Sequence, residues 1–351
     1  QMCIRDRVMT EYFSHDLLRI NCKNTVDQGY VYTYLKSKVG NKILLTNSYG
    51  AVITHIEPEH LATIPIPDAP REIKERIHNL IVQSFDLRDE SNELIDNATQ
   101  LLIDELHLPD ISSFEVDDYK KNAPVETFSV KLSDLNGRAD ASYHLPIVEA
   151  IIEHLKKYAD EVTTIGDKRI THDIVLAGVF KRTYVDEQYG YPFLGGKEIT
   201  QLAPKTEKFL SKAIHRKRYE KELKIEENTV LVTDRGTIGT VALVPKHWNG
   251  YAVSQNVLKA VPSTNKIAGY LFIYLNCEYG RKLVQRQTYG SVVDMIDNNS
   301  LSSVEFPLLK NKDIQKKIND LALEANQKRY EAYLLEQQAL EIMDNEVIFA
   351  K

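Results

Sequence analysis

Residues 28–42 read QGYVYTYLKSKVGNK, and residues 268–282 read AGYLFIYLNCEYGRK. The two stretches belong to a longer self-match at an offset of 240, in which residues 14–67 fall on residues 254–307 without a gap and with 14 identities in 54 positions. Gly29, Tyr30, Tyr34, Gly40, Tyr49, Gly50 and Pro67 are among the identities. Many differences exchange one apolar residue for another, as in Ile43 against Leu283 and Ile64 against Val304. An ungapped match of this length specifies one supersecondary unit built twice. After one inserted residue the match continues at an offset of 241, with Ile73, Ile77 and Leu80 facing Ile314, Ile318 and Leu321.

Both copies run on into a long helical pattern. Positions 73, 77, 80, 84, 87, 91, 94, 98 and 101 step by fours and threes, as do 314, 318, 321, 325, 328, 332, 335, 339 and 342. This is the a/d seam of a heptad. Every seventh residue is small in both copies: Ser84, Ser91 and Ala98 against Ala325, Ala332 and Ala339. Small side chains let two helices approach closely, so the pattern predicts an antiparallel pair within one chain. Lys328 interrupts the second seam.

Between the copies, residues 104–118 carry six acidic residues and no Lys or Arg, and Pro124 punctuates the polar stretch that follows. That composition is a linker. A helix signal runs from Arg138 through Pro146 to Lys157. Residues 229–233 and 240–244 read as the strands of a hairpin whose tip carries Gly236 and Gly239. The expected class is α+β: mixed α/β domains separated by two long helices that form an antiparallel coiled coil. Residues 1–70 are read as the C-terminal remnant of a first domain, 71–106 as the first long helix and 107–135 as the linker. Residues 136–310 then form a second domain and 311–351 the second long helix. The first copy has only thirteen residues before Ser14. It reads as an N-terminally truncated fragment, with residues 1–13 open to being non-native and a shorter natural form as the alternative.

Composition narrows the function classes. The chain has 351 residues, 43% of them hydrophobic and 27% charged, which describes an ordinary globular protein of about two domains. No run approaches the roughly 18 apolar residues of a membrane span. Together with the absence of a signal-peptide core at the start, this gives a cytoplasmic reading with no membrane partner. Cys3, Cys22 and Cys277 form no zinc-type spacing with the histidines. Gly195-Gly196-Lys197 is followed by Glu198, so it is not a phosphate-binding loop. Asp110, Asp118 and Lys120 imitate the acids and lysine of a metal-dependent nuclease, but they lie in the polar linker. No catalytic, cofactor or metal residue is assigned.

Positive charge is concentrated. The net charge of the chain is −6, yet residues 205–224 carry a net +5 while residues 71–105 carry −5. Lys205, Lys208, Lys212, Arg216 and Lys217 in the basic stretch are candidate phosphate contacts; the alternative is a solvated surface helix. Lys181, Arg182 and Tyr184 add cations and an aromatic ring at a turn. Arg235, next to Thr237 on the hairpin tip, is a candidate reader of guanine through a bidentate contact, or else the partner of Asp234. Gln255 and Asn256 suit adenine, although such amides also bridge loops. Tyr289 and Ser291 complete the candidate DNA-binding set, with a plain turn as their alternative.

The order of these motifs resembles the specificity subunit of type I restriction-modification systems. The resemblance rests on Arg138-Ala139-Asp140-Ala141-Ser142-Tyr143-His144, residues 178–184 and 191–194, and Asp234-Arg235-Gly236-Thr237-Ile238-Gly239. It also rests on Ser254-Gln255-Asn256, Gly269-Tyr270-Leu271, Tyr289-Gly290-Ser291 and the exit at Pro307, and it extends over nearly the whole chain from about Ser14. It implies a non-catalytic subunit in which two target-recognition domains read the halves of a bipartite site in double-stranded DNA. By the same resemblance, two methyltransferase subunits modify adenine, and a restriction and translocase subunit joins them. S-adenosylmethionine, ATP and Mg²⁺ would be bound by those partners and not by this chain. A helix of about 32 residues is about 48 Å long, more than one ~34 Å duplex turn, which suits two readers on one DNA face. The alternative is the C-terminal specificity region of a fused methyltransferase-specificity enzyme, and a self-contained nuclease is a third reading.

Overall fold

A computed structural model describes residues 18–46, 55–114, 127–135, 137–201, 203–204, 208–290 and 293–350. They divide into two compact units, one built from residues 92–327 and the other from residues up to 91 together with 328–350. Among the described residues no helix is long and apolar enough to cross a membrane.

The smaller unit begins with helices α1 (Thr25–Lys36), α2 (Lys38–Thr46) and α3 (Pro58–Ala62). Asn24 caps α1 by accepting a hydrogen bond from the Val26 amide, satisfying one of the donors a helix start leaves unpaired. The Ser37 hydroxyl joins α1 to α2, donating to the Tyr34 carbonyl at 2.7 Å and accepting from the Gly40 amide at 3.0 Å. At Gly40 a side chain has no room, because a Cβ there would lie 2.0 Å from the Tyr34 carbonyl oxygen. Tyr30, Tyr34 and Ile64 make the core of this unit with Ile77, Ile81 and Ala339 from the long helices and Met343 just beyond the second of them.

The helices of the repeat are realised one for one. In the larger unit α7 (Asn265–Asn276), α8 (Glu278–Arg286) and α9 (Asn298–Ser302) have the lengths of α1, α2 and α3 at an offset of 240. Cys277 takes the place of Ser37, its thiol donating to Tyr274 O and accepting from Gly280 N. A Cβ at Gly280 would again lie 2.0 Å from the Tyr274 oxygen. Sequence match and matched hydrogen bonds therefore report the same local geometry.

Around this second copy the larger unit adds what makes it a full domain. Helix α5 (Pro146–Tyr158) buries Val148, Ile151, Ile152 and Leu155. The expected start at Arg138 is corrected: residues 141–144 form a 3-10 turn, and the helix begins at Pro146, whose fixed φ suits a first helical position. Strand β1 (Glu161–Thr164) pairs antiparallel with β10 (Glu305–Leu308), setting Val162 opposite Pro307. A four-stranded sheet has the order β2-β9-β6-β7, from β2 (Thr171–Val175), β6 (Val230–Thr233), β7 (Val241–Leu243) and β9 (Val257–Pro262). Strands β6 and β7 are buried along their whole length, whereas the edge strand β2 exposes His172 and Asp173. A smaller sheet, in the order β3-β5-β4-β8, is made of β3 (Tyr184–Val185), β5 (Phe209–Ser211), β4 (Gly190–Leu194) and β8 (Ala252–Val253).

The long helices α4 (Arg71–Glu105) and α10 (Lys312–Ile342) pack together and run antiparallel. Within the smaller unit Ser84 Oγ donates to Ala332 O at 2.7 Å, and Lys328 Nζ meets Glu90 at 2.6 Å. The seam differs from the expected one at alternate positions. Buried residues fall at 77, 81, 84, 88, 91, 95, 98 and 102, and at 318, 322, 325, 329, 332, 336, 339 and 343. The small positions are as expected, but the intervening ones are Ile81, Arg88, Ile95 and Leu102 in place of Leu80, Leu87, Leu94 and Leu101. The reason is a division of labour. Leu94 and Leu101 pack against the core of the larger unit and Leu80 against that of the smaller, which leaves polar residues to fill much of the interhelical seam.

Candidate nucleic-acid interface

The basic stretch is not one helix. It passes through β5, helix α6 (Lys212–Arg218) and a wide turn over Tyr219–Leu223. Ser211 begins α6 by accepting from the Ile214 amide. Lys208, Lys212, Arg216, Lys217 and Lys221 are exposed. Arg218 instead turns inward, donating to Gly178 O at 3.1 Å and to Glu222 at 2.8 Å while lying over the Phe180 ring. Lys224 is paired with Glu226. Lys205 and Ser291 lie outside the described residues, as do Asp118 and Lys120 of the nuclease alternative, whereas Asp110 caps a short turn at Ile111–Ser113.

The structure brings Lys181, Arg182 and Tyr184 to the same place as α6. Pairing of β3 with β5 sets Tyr184 opposite Leu210. The Thr183 amide donates to His215 Nε2 of α6 at 3.1 Å. His215 is buried, and that burial, reinforced by Arg218, holds its pKa below the usual imidazole value, which keeps Nε2 free to accept. Aromatic rings floor this surface: Tyr191 and Tyr219 stack at 3.6 Å and 4°, Lys212 lies over Tyr191, and Arg182 lies over Phe193. The Tyr219 hydroxyl anchors the stack by donating to Gly250 O at 2.7 Å. Buried Lys259 of β9 donates to Lys224 O at 2.9 Å, tying the wide turn to the larger sheet, and burial pushes its pKa down to about 8.

A second group forms at the β6–β7 hairpin. Gly236 and Gly239 adopt φ of +73° and +80°, a region that favours glycine, and give the tip its tight path. Arg235 forms a bridge with Met295, and Tyr289 exchanges both backbone hydrogen bonds with Met295 at 2.9 and 2.8 Å. Thr237 and Tyr289, both exposed, line a cavity of about 730 Å³ with Asp140, Ser142, Lys282 and Gln285. The Arg235 guanidinium folds onto Asp234, with Nη2 2.8 Å from Oδ2. Asp234 is fully buried; burial raises its pKa, and Arg235 opposes that shift. Gln255 and Asn256 adjoin this group, since the Asp234 amide donates to Asn256 O at 3.3 Å. Gln255 Oε1, Asn256 Oδ1 and Asp234 Oδ1 are buried acceptors without a hydrogen-bond partner in this structure.

Sequence reasoning did not single out the Tyr191–Tyr219 stack, the His215 pin or Lys282. Tyr191 and Tyr219 are 28 residues apart, beyond any local periodicity. Lys282 was visible as a repeat identity with Lys42, but not as a neighbour of Thr237.

The fold defines a class: a duplicated helical module, one copy of which is elaborated by two sheets and an extra helix, with a long helix leaving each copy. Residues 178–322 match the sequence model of the type I restriction modification DNA specificity domain. The matched residues lie within the larger unit. Among solved structures, the chain is similar to a type I restriction-modification S subunit from M. genitalium, with 13% identity over 92% of this chain and 73% of that chain and a TM-score of 0.37. It is also similar to the HsdS subunit from Thermoanaerobacter tengcongensis, with 13% identity over 90% and 68% of the two chains and a TM-score of 0.36. A chain from a study of type I R-M complex assembly gives 14% identity, 90% and 69% coverage and a TM-score of 0.36. No curated protein matches the chain in sequence.

Proposed function

We propose that this chain is a DNA-binding specificity subunit, without catalysis of its own, of a cytoplasmic type I restriction-modification complex. In this reading it directs adenine methylation and restriction to a bipartite site. Its partners are double-stranded DNA, two methyltransferase subunits and a restriction and translocase subunit, which would carry the S-adenosylmethionine, ATP and Mg²⁺ chemistry. The observation that supports it most directly is the gathering of exposed Lys181, Lys208, Lys212, Arg216 and Lys217 on one surface within the matched region, with Lys212 over the stacked Tyr191 and Tyr219 rings. Cations at such a surface neutralise phosphates and release counterions, which gives salt-dependent affinity. Arg235, Thr237, Gln255, Asn256 and Tyr289 then supply groups able to meet base edges. Asp234, buried next to Arg235, would hold the guanidinium until a base replaces the carboxylate. Anisotropy titrations of the purified chain with duplex DNA at two salt concentrations test the reading. Affinity that falls steeply with salt, with no methylation or cleavage on adding S-adenosylmethionine or Mg²⁺, is the expected result. Salt-independent binding, or turnover with either addition, contradicts it.

A further inference from the structure

Arg138 and the turn Ala141–His144 supply none of the candidate DNA contacts, yet they are bonded to the segment from which Tyr289 projects. Two guanidinium groups lie over the Tyr143 ring, Arg138 with Cζ 4.5 Å and Arg286 with Cζ 4.4 Å from its centre. The face of an aromatic ring attracts cations, and a flat guanidinium can stack on it. Arg286 of α8 is buried; its Nε donates to Tyr143 O at 3.0 Å, and its other nitrogens meet Glu149 and Glu305. Arg138 is fixed from its own side by Asp140, Nη2 to Oδ2 at 2.6 Å, and its carbonyl accepts from buried His144 Nε2 at 2.7 Å.

So held, Arg138 also reaches the chain just past α8. Its Nη1 donates to Gln287 O at 3.3 Å and its Nη2 to Thr288 O at 2.6 Å, carbonyls at a helix end, where acceptors otherwise go unpaired. The next residue is Tyr289, which exchanges both backbone hydrogen bonds with Met295; Met295 in turn bridges Arg235, and the Ile296 amide donates to Asp234 O at 3.0 Å. Each step from the Tyr143 ring to the Arg235 backbone is therefore one side-chain contact, one peptide or one backbone bridge. Lys212, Arg216 and Lys217 stand on α6 and take no part in this run.

We propose that Arg138 and Tyr143 are positioning residues: with Arg286 they form a clamp that sets where Arg235 and Tyr289 stand, and thereby how sharply one base pair is told from another. A base contact discriminates only when its donors are held in place, so the support behind it matters as much as the contact itself. General affinity for phosphates, carried by the cations of α6, is independent of the clamp. The inference rests on the reading of this chain as a DNA-binding subunit with Arg235 as a base contact. Tyr143→Phe keeps the ring under both guanidiniums, whereas Tyr143→Leu removes it. Arg138→Lys keeps the charge but loses the planar fork that reaches Asp140 and two carbonyls together.

The probe is the duplex that the wild-type full chain enriches from a random-sequence pool, together with its single base-pair substitutions, titrated by anisotropy at two salt concentrations. At the base pair whose discrimination Arg235→Ala erases, Tyr143→Leu and Arg138→Lys should each lower discrimination about fivefold, with no further loss when Arg235→Ala is added. Tyr143→Phe should stay within about twofold of the wild type, and the salt slope should be the same in all. Without DNA, hydrogen exchange should quicken at residues 288–289 and 234–236 in Tyr143→Leu and Arg138→Lys, and stay unchanged in β5 and β9. An equal loss on every duplex, a loss that adds to that of Arg235→Ala, discrimination retained in both variants, or unaltered exchange overturns the clamp and leaves the DNA-binding reading standing. A wild type that enriches no sequence overturns the base-reading claim itself, and the inference with it.

Discussion

Arg88 and Glu336 form an ion pair inside the smaller unit, Nη2 to Oε2 at 2.6 Å, with side chains only 4% and 1% exposed. Lys36 reaches the other carboxylate oxygen at 2.6 Å, and the Tyr32 hydroxyl donates to Oε2 at 3.0 Å. The pair occupies the interhelical seam, where a heptad would place leucine. Ile95, the repeat counterpart of Glu336, is apolar, so the two halves of the helix pair are chemically distinct. A polar position of this kind penalises shifted registers of the two helices.

Removing one member of that pair should therefore be costly. Glu336→Ala leaves Arg88 buried without its carboxylate and is expected to destabilise the smaller unit by about 3–5 kcal/mol, whereas Arg88→Met with Glu336→Leu should recover most of the loss. Burial raises the Glu336 pKa, but Lys36 and Arg88 together bring it below the usual carboxylate value. A depressed folded pKa means that the stabilisation is present above the unfolded value near 4.3 and is lost as pH falls through the folded one. Urea melts of the wild type and both variants between pH 7 and pH 3 measure each part; a double variant no more stable than Glu336→Ala contradicts the argument.

Ser91 is fully buried at a small position of the seam. Ser91→Leu should overpack the helix pair and cost about 1–3 kcal/mol, more than Ser91→Ala costs. Thermal unfolding of both variants distinguishes this from a loosely packed seam, which would accept leucine without loss.

Phosphate and base contacts should separate on mutation. Lys212→Ala is expected to weaken all duplexes alike and to lower the salt slope by about one. Arg235→Ala should cost about 1–3 kcal/mol on the preferred duplex and mainly erase discrimination at one base pair. Titrations against matched and single-mismatch duplexes at two salt concentrations measure both. An equal loss on every duplex would make Arg235 another phosphate contact.

His215 couples protonation to the loop that carries Lys181 and Arg182. Its folded pKa lies below the ordinary 6.5, mainly through burial. The hydrogen bond from Thr183 is therefore intact above the unfolded value and is lost as pH falls below it, through the folded one. Hydrogen exchange at residues 177–183 should accelerate between pH 7.5 and pH 5.5, after correction for intrinsic rates, more than in β6 and β9. His215→Phe should show the fast exchange at both values, and a loop indifferent to pH in the wild type would refute the role.

The duplication, the two long helices, the hairpin and the concentration of positive charge were all legible in the sequence, because each rests on local periodicity or on a fixed offset. Tyr30 and Tyr270 illustrate how far this reaches: their hydroxyls donate to Pro67 O and Pro307 O at 2.7 and 2.9 Å, a matched pair of contacts implied by identities at both ends. Tertiary structure decided which face of each long helix meets the other, since leucines at 80, 94 and 101 were drawn to the domain cores while small and polar residues closed the seam. It also decided that Arg218 turns inward while its neighbours Arg216 and Lys217 face solvent, and that Arg235 rests on Asp234. A sequence pattern records the spacing of apolar and charged residues along one element. The direction in which a long polar side chain is used depends on which carboxylates, carbonyls and rings other elements bring within reach of it.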